Sequence, residues 1–144
     1  MIYLMFPKQK NFQYNVNLTD SLDAFHTDEF KADVKSLFKS SSVMMPRYDI
    51  ATNTRMSKDK LVKSSKVNVF EGLHTIHLLG ELDNSVTFFL DTDIETCLER
   101  RIARDTSKYG IPEARIRTYW YECVIPMCEE WILPQKYYAD FILN

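Results

Sequence analysis

Apolar positions recur along this chain with two different periods, and each period names an element. The opening run Ile2-Tyr3-Leu4-Met5-Phe6 is continuously apolar until Pro7 and reads as a buried strand; residues 7–19 are polar and irregular. From Thr27 the pattern turns helical, with Phe30, Val34, Leu37 and Phe38 expected on an inner face. The Thr27 hydroxyl is expected to cap that helix, with Asp28 and Glu29 suited to the positive end of its dipole. Ser40-Ser41-Ser42 ends it, Val43-Met44-Met45 reads as a short strand stopped by Pro46, and residues 51–60 read as a polar loop. Val67 to Phe70 and Val86 to Leu90 are short apolar runs of the kind covered on both faces, and each meets an acidic residue, Glu71 or Asp91. A second helix follows, capped near Thr92 or Asp93, with Ile94, Leu98 and Ile102 inward at four-residue steps and an end near Gly110. Pro112 fits the first turn of a further helix, which Pro126 should break or kink, and Ala139 to Leu143 reads as a terminal strand. Strands alternating with helices predict an α/β fold, a largely parallel sheet flanked by helices.

Length and composition narrow this picture. The 144 residues are expected to form a single domain, 1–144, with 45% apolar residues pointing to a packed core rather than disorder. A formal net charge of −2 argues against a protein that works by neutralising a nucleic-acid backbone. No segment is apolar for long enough to cross a membrane. Cys97, Cys123 and Cys128 are odd in number and lack Cys-x-x-Cys spacing, so they read as reduced thiols in a cytoplasmic protein. Glycine is the most informative count. There are three, Gly72, Gly80 and Gly110, where average usage of about 7% would give about ten. Glycine is what lets a backbone wrap closely round a phosphate, so no glycine-rich nucleotide loop can be written on these residues.

Three constellations could carry chemistry. Ligands of open α/β sheets bind beyond the carboxyl ends of the strands, where Phe70-Glu71-Gly72 would place a carboxylate before a sharp turn. Glu71 there suits a magnesium ion, or equally a helix cap or an arginine partner. Arg100, Arg101 and Arg104 share one helical face and would form a guanidinium patch able to chelate phosphate oxygens. The alternative is a solvated face tempered by Glu95, Glu99 and Asp105. Pro46-Arg47-Tyr48-Asp49, with Asn53 and Arg55, could stack on and hydrogen-bond a flat ligand, or form a turn round a packed tyrosine. His26, His74 and His77 lack metal-ligand spacing with a cysteine or carboxylate, and Tyr119-Trp120-Tyr121 reads as helix packing rather than a base-stacking platform.

Taken in order, these pieces resemble the uridine kinase and phosphoribulokinase family of P-loop kinases. The matching features are Asp23-Ala24-Phe25, Pro46-x-Tyr48-Asp49 with Arg55, Phe70-Glu71-Gly72, and Phe89-Leu90-Asp91-Thr92-Asp93. Arg100-Arg101-x-x-Arg104-Asp105, Pro126, Pro134 and Tyr138-Ala139-Asp140-x-Ile142 follow. The resemblance implies an ATP- and magnesium-dependent transfer of phosphate to a nucleoside or sugar hydroxyl, in a truncated P-loop-kinase-like fold. It assigns Asp20 to ribose hydroxyls and Tyr48 to the nucleoside pocket, with Asn53 and Arg55 in the same substrate-binding loop. Glu71 matches the acidic residue near magnesium. Arg101 matches a substrate-binding arginine, and Arg100 and Arg104 belong to the phosphate-binding lid.

The chain departs from the family at the donor side. No glycine precedes Gly72, so the Gly-x-x-x-x-Gly-Lys-Ser/Thr loop has no counterpart, and no aspartate precedes Asp20 to serve as the catalytic one. The uracil-recognising histidine falls at Asn53 and a later glutamine near Tyr119, while two lid arginines appear as Tyr109 and Ile111. Three readings follow. The chain is a kinase polypeptide whose nucleotide loop comes from a missing N-terminal stretch or a partner, a non-catalytic nucleoside- or phosphate-binding module, or scaffold alone. Lacking its central strand, such a sheet should fill the gap with Ile2 to Phe6 or pair with a second copy as a homo-oligomer.

Overall fold

A computed structural model describes residues 2–4, 22, 25–49 and 54–144; the side chains of residues 2–4, 48, 49 and 54 lie outside that description. The fold is mixed α/β with parallel strand pairs and flanking helices, as the periodicity predicts. Two compact units make up the chain, Met1–Leu79 and Gly80–Asn144.

In the first unit, helix α1 (Thr27–Ser40) buries Phe30, Val34 and Leu37 along the predicted stripe. The fourth member of that stripe is Asp33, while Phe38 stays 50% exposed and only leans towards Phe70, ring centroids 6.1 Å apart. Positions 33 and 38 lie on opposite margins of the Phe30, Val34 and Leu37 stripe, so spacing alone does not choose between them; Asp33 is the one met by a partner, Lys58. Thr27 is not the cap. The His26 carbonyl already accepts from the Phe30 N–H at 2.9 Å, so Thr27 sits inside the first turn and His26 at the cap, with no side-chain bond. The helix leaves through Ser41 in the left-handed conformation, φ 61°, where glycine is usual.

The polar loop expected over residues 51–60 is corrected to a strand from Thr54 onward. Strand β2 (Ser42–Asp49) and strand β3 (Thr54–Lys63) pair antiparallel, from Ser42↔Lys63 to Asp49↔Thr54. Pro46 does not end β2, because the ladder shifts register on both sides of it, and a proline at such a bulge sacrifices no ladder bond. β3 carries few apolar side chains, and among its described side chains only Val62 is buried, so its existence rests on pairing with β2. Charge ties this hairpin to α1. Lys58 Nζ reaches both Asp33 oxygens at 2.6 and 2.8 Å and Glu29 Oε1 at 3.0 Å, and Arg55 Nη2 meets Glu29 Oε2 at 2.7 Å. The Lys58 hydrogen bond, ahead of the Arg55 contact, holds the Glu29 carboxyl below its usual range.

Strand β1 (Ile2–Leu4) runs parallel to strand β4 (Val69–Glu71), Tyr3 opposite Phe70, so the opening apolar run does supply a neighbour for β4. Gly72 follows with φ 152°, a conformation side chains avoid, and turns the chain into helix α2 (Thr75–Leu79). Beside that turn His74 is fully buried, with Phe25 edge-on at 5.2 Å.

The second unit pairs strand β5 (Phe88–Leu90) in parallel with strand β6 (Phe141–Leu143). A reciprocal latch fixes that register: Thr87 N–H and Oγ1 donate to Asp140 Oδ2 at 2.7 and 2.8 Å, and Asp140 N–H donates to Thr87 Oγ1 at 2.9 Å. Helix α3 (Ile94–Tyr109) is capped by Asp93, which accepts from Thr96 N–H at 3.0 Å, and closed by Gly110 at φ 65°. Leu98 is 1% exposed and packs with Ile116 and Trp120, flanked by Ile94 and Ile102 as predicted.

Helix α4 (Glu113–Tyr119) follows Pro112, and the helical run that it begins continues past Pro126. π-helical turns at Trp120–Val124 and Cys128–Ile132 enclose the short α5 (Ile125–Met127), and a 3₁₀ turn over Leu133–Tyr138 completes the run. The disturbance expected at Pro126 takes the form of a change of pitch, with π-helical turns on both sides of it, rather than an end to the helical run. A proline has no N–H to give the carbonyl four residues back, and widening the pitch around it absorbs that loss.

Leu98→Ala should cost about 3 kcal/mol by the cavity it leaves, read from the urea midpoint at unchanged m-value; a loss within about 0.5 kcal/mol, the scale of surface substitutions, would place Leu98 outside the core. Because Glu29 titrates below its ordinary 4.5 in the folded chain, its stabilisation is complete above that pH and fades as pH falls through the lower folded value. Glu29→Gln should therefore be less stable than the wild type at pH 7, with the gap narrowing as pH falls below 4.5; a gap independent of pH refutes the tie.

Candidate functional site

The arginines expected to form one patch divide in two. Arg104 Nε donates to Asp105 Oδ1 at 2.6 Å, and Arg101 Nε lies 3.4 Å from Asp105 Oδ2, so two guanidiniums share one carboxylate. Asp105 itself is buried, while the Arg101 and Arg104 side chains are 28% and 59% exposed. That hydrogen bond raises the Arg104 guanidinium further above its already high value, and its charge is permanent. Two positive charges thus share one negative, which leaves a net cation at the surface of α3. Arg100 is exposed and makes no ion pair among the described residues. The guanidinium of Arg101 also lies over two rings, 5.3 Å from the Tyr119 centroid and 5.9 Å from that of Trp120. Of the three acids expected to temper this face, Asp105 is the one seen paired with it.

Glu71 ends β4, exposed and opposite Leu4 in register, with Gly72 behind it. No group of three His, Cys, Asp or Glu among the described residues could hold a metal by itself. A lone exposed carboxylate fits a magnesium ion that arrives with phosphate and water, and does not fit one bound by protein alone. At the end of β5, Asp91 is already held by a close ion pair with Lys136.

The substrate loop is partly on view. Tyr48 stands opposite Arg55 on the β2–β3 ladder, which brings these two positions together. Arg55 is 23% exposed and spends its guanidinium on Glu29, so a ligand there competes with that carboxylate. Asp20 and Asn53 lie outside the described residues. Sequence reasoning missed Glu29, Asp33 and Lys58 as a cluster. The signal was present in the 29/33 spacing, two carboxylates four apart on a helix with Asp33 at the margin of the apolar stripe.

Comparisons with known proteins cover almost the whole chain. A profile of the phosphoribulokinase / uridine kinase family matches residues 3–144. Uridine kinase-like protein 3 of Arabidopsis thaliana is 32% identical over 148 aligned residues, 94% of this chain and 32% of that protein. The uridine kinases of Shewanella amazonensis and Escherichia coli K12 are 34% and 33% identical over 113 residues, 76% of this chain and 52% of each enzyme. The chain therefore spans about half, or less, of the length of these relatives. With the profile running from the first strand to the last, the chain belongs to the phosphoribulokinase / uridine kinase family.

Proposed function

We propose that these residues form the acceptor-binding and lid portion of a nucleoside-kinase-type phosphotransferase, and that they transfer phosphate only with a glycine-rich nucleotide loop supplied from elsewhere. The observation that carries this reading is the Asp105-anchored pair Arg101 and Arg104, in a sequence with no glycine before Gly72. Phosphoryl transfer is chiefly positioning and electrostatic clamping, and paired guanidiniums are suited to phosphate oxygens in geometry and charge. In this reading Arg101 binds the substrate, with Arg100 and Arg104 completing the lid. Asp20, Tyr48, Asn53 and Arg55 hold the nucleoside, and Glu71 contributes one carboxylate to a magnesium ion that enters with ATP. That ion, when bound, would neutralise charge on the transferring phosphate.

A second reading, binding without transfer, draws on the same scarcity of glycine. The two part in one experiment. Ligands that bind the folded state raise apparent stability by mass action, so nucleosides, nucleoside monophosphates and magnesium-ATP are compared by thermal shift on the full chain. Nucleosides or monophosphates should stabilise it, and magnesium-ATP alone should not. A radiolabelled transfer assay should register nothing until a protein carrying a Gly-x-x-x-x-Gly-Lys-Ser/Thr loop is added, whereas turnover by the chain alone would sink the proposal. Silence even with that loop present favours the binding module. Arg101→Ala should weaken monophosphate binding by about 10-fold, the worth of a charged hydrogen bond, with the chain still folded because Arg104 keeps the buried Asp105 paired.

A further inference from the structure

Arg101 is held from two directions. Its Nε edge faces the buried Asp105 carboxylate at 3.4 Å, and its guanidinium carbon lies over the Tyr119 and Trp120 rings, 5.3 and 5.9 Å from their centroids. These rings are consecutive in sequence, and neighbours on an ordinary α-helix point well apart. Here α4 ends at Tyr119 and the wider π-helical turn begins at Trp120, so the run changes pitch where both rings meet one guanidinium. Such bulges are frequent at functional sites. Trp120 is anchored in the core with Leu98 and Ile116, whereas Tyr119 is half-buried at the margin. Trp120 thus belongs to the core, and Tyr119 stands at its edge beneath the Arg101 guanidinium.

We propose that Tyr119 is a positioning residue: its ring fixes the plane of the Arg101 guanidinium so that the fork is set for a phosphate before one arrives. The inference rests on the reading of Arg101 as a phosphate-binding side chain. An arginine held only by its Nε edge would still rotate about that contact. A ring under its face removes this freedom and with it part of the entropy cost of binding. Because the hold depends on a flat cation, a lysine at 101 cannot replace it.

The test uses the full chain with Tyr119→Leu, Tyr119→Phe and Arg101→Ala, and two readouts. The first needs no ligand: the Arg101 Nε–H resonance, assigned by its loss in Arg101→Ala, should be shifted upfield by the rings. Tyr119→Leu should reverse the part of that shift due to Tyr119, leaving the Trp120 part, and Tyr119→Phe should keep the whole. The second is binding of uridine 5′-monophosphate against uridine, whose difference isolates the phosphate. Tyr119→Leu should weaken the monophosphate about 3- to 10-fold, with uridine unchanged and Tyr119→Phe close to wild type. In the Arg101→Ala background the same Leu substitution should have no further effect. An Arg101 resonance insensitive to Tyr119→Leu, or an equal loss with and without Arg101, overturns the proposal. Failure of the wild type to prefer the monophosphate would overturn the phosphate role of Arg101 instead, and the resonance would still decide the part played by Tyr119.

Discussion

Asp33 and Asp105 are both withdrawn from water, and each unit of the chain is arranged to meet one of them with cations. An ionised carboxylate in such surroundings costs several kcal/mol unless it is paired and hydrogen-bonded. In the first unit Lys58 reaches across from β3 to α1, and Glu29 draws in Arg55 beside it. In the second, two arginines of α3 close on a carboxylate of the same helix. The solutions differ in consequence. The first is a bridge between elements and fixes the hairpin against the helix. The second is local, crosses no element boundary, and concentrates positive charge at one surface.

That contrast bears on the site. Arg55 is committed to a structural carboxylate, and any ligand reaching it must replace Glu29. Arg101 and Arg104 are presented by a carboxylate that has already been desolvated, so part of the cost of gathering like charges is met before any ligand binds. Such preorganisation suits the phosphate-binding role proposed for them. The donor side is a different matter. A backbone cradle for phosphate needs glycine, and within these residues the first glycine, Gly72, serves a turn that a side chain would strain.

Shortage of glycine and the presence of proline also shape the connections. Ser41 and Asn84 take positive φ where glycine would be at ease, and Pro46 and Pro126 are accommodated by a bulge and by π-turns. Each is a local departure held in place by what surrounds it: the β2–β3 ladder for Pro46, and for Pro126 the helical run packed through Ile116 and Trp120.

The sequence by itself determined whatever depends on neighbours a turn apart. The buried rows of α1 and α3 were legible from spacing, as were a cap at Thr92 or Asp93 and the Gly110 terminus, since helices are built from contacts three and four residues apart. Family membership was legible in the same way, because ordered short motifs survive without knowledge of the fold. The tertiary structure alone decided the rest. It made a strand of the polar residues after Asn53, because β3 draws its hydrogen bonds from β2. It turned Asp33 inward because Lys58, 25 residues away, was there to meet it. It also divided the arginines, giving Arg101 and Arg104 to Asp105 and leaving Arg100 at the surface. Pairing of strands and of charges joins residues distant in the chain, and no local pattern encodes which distant partner will be present.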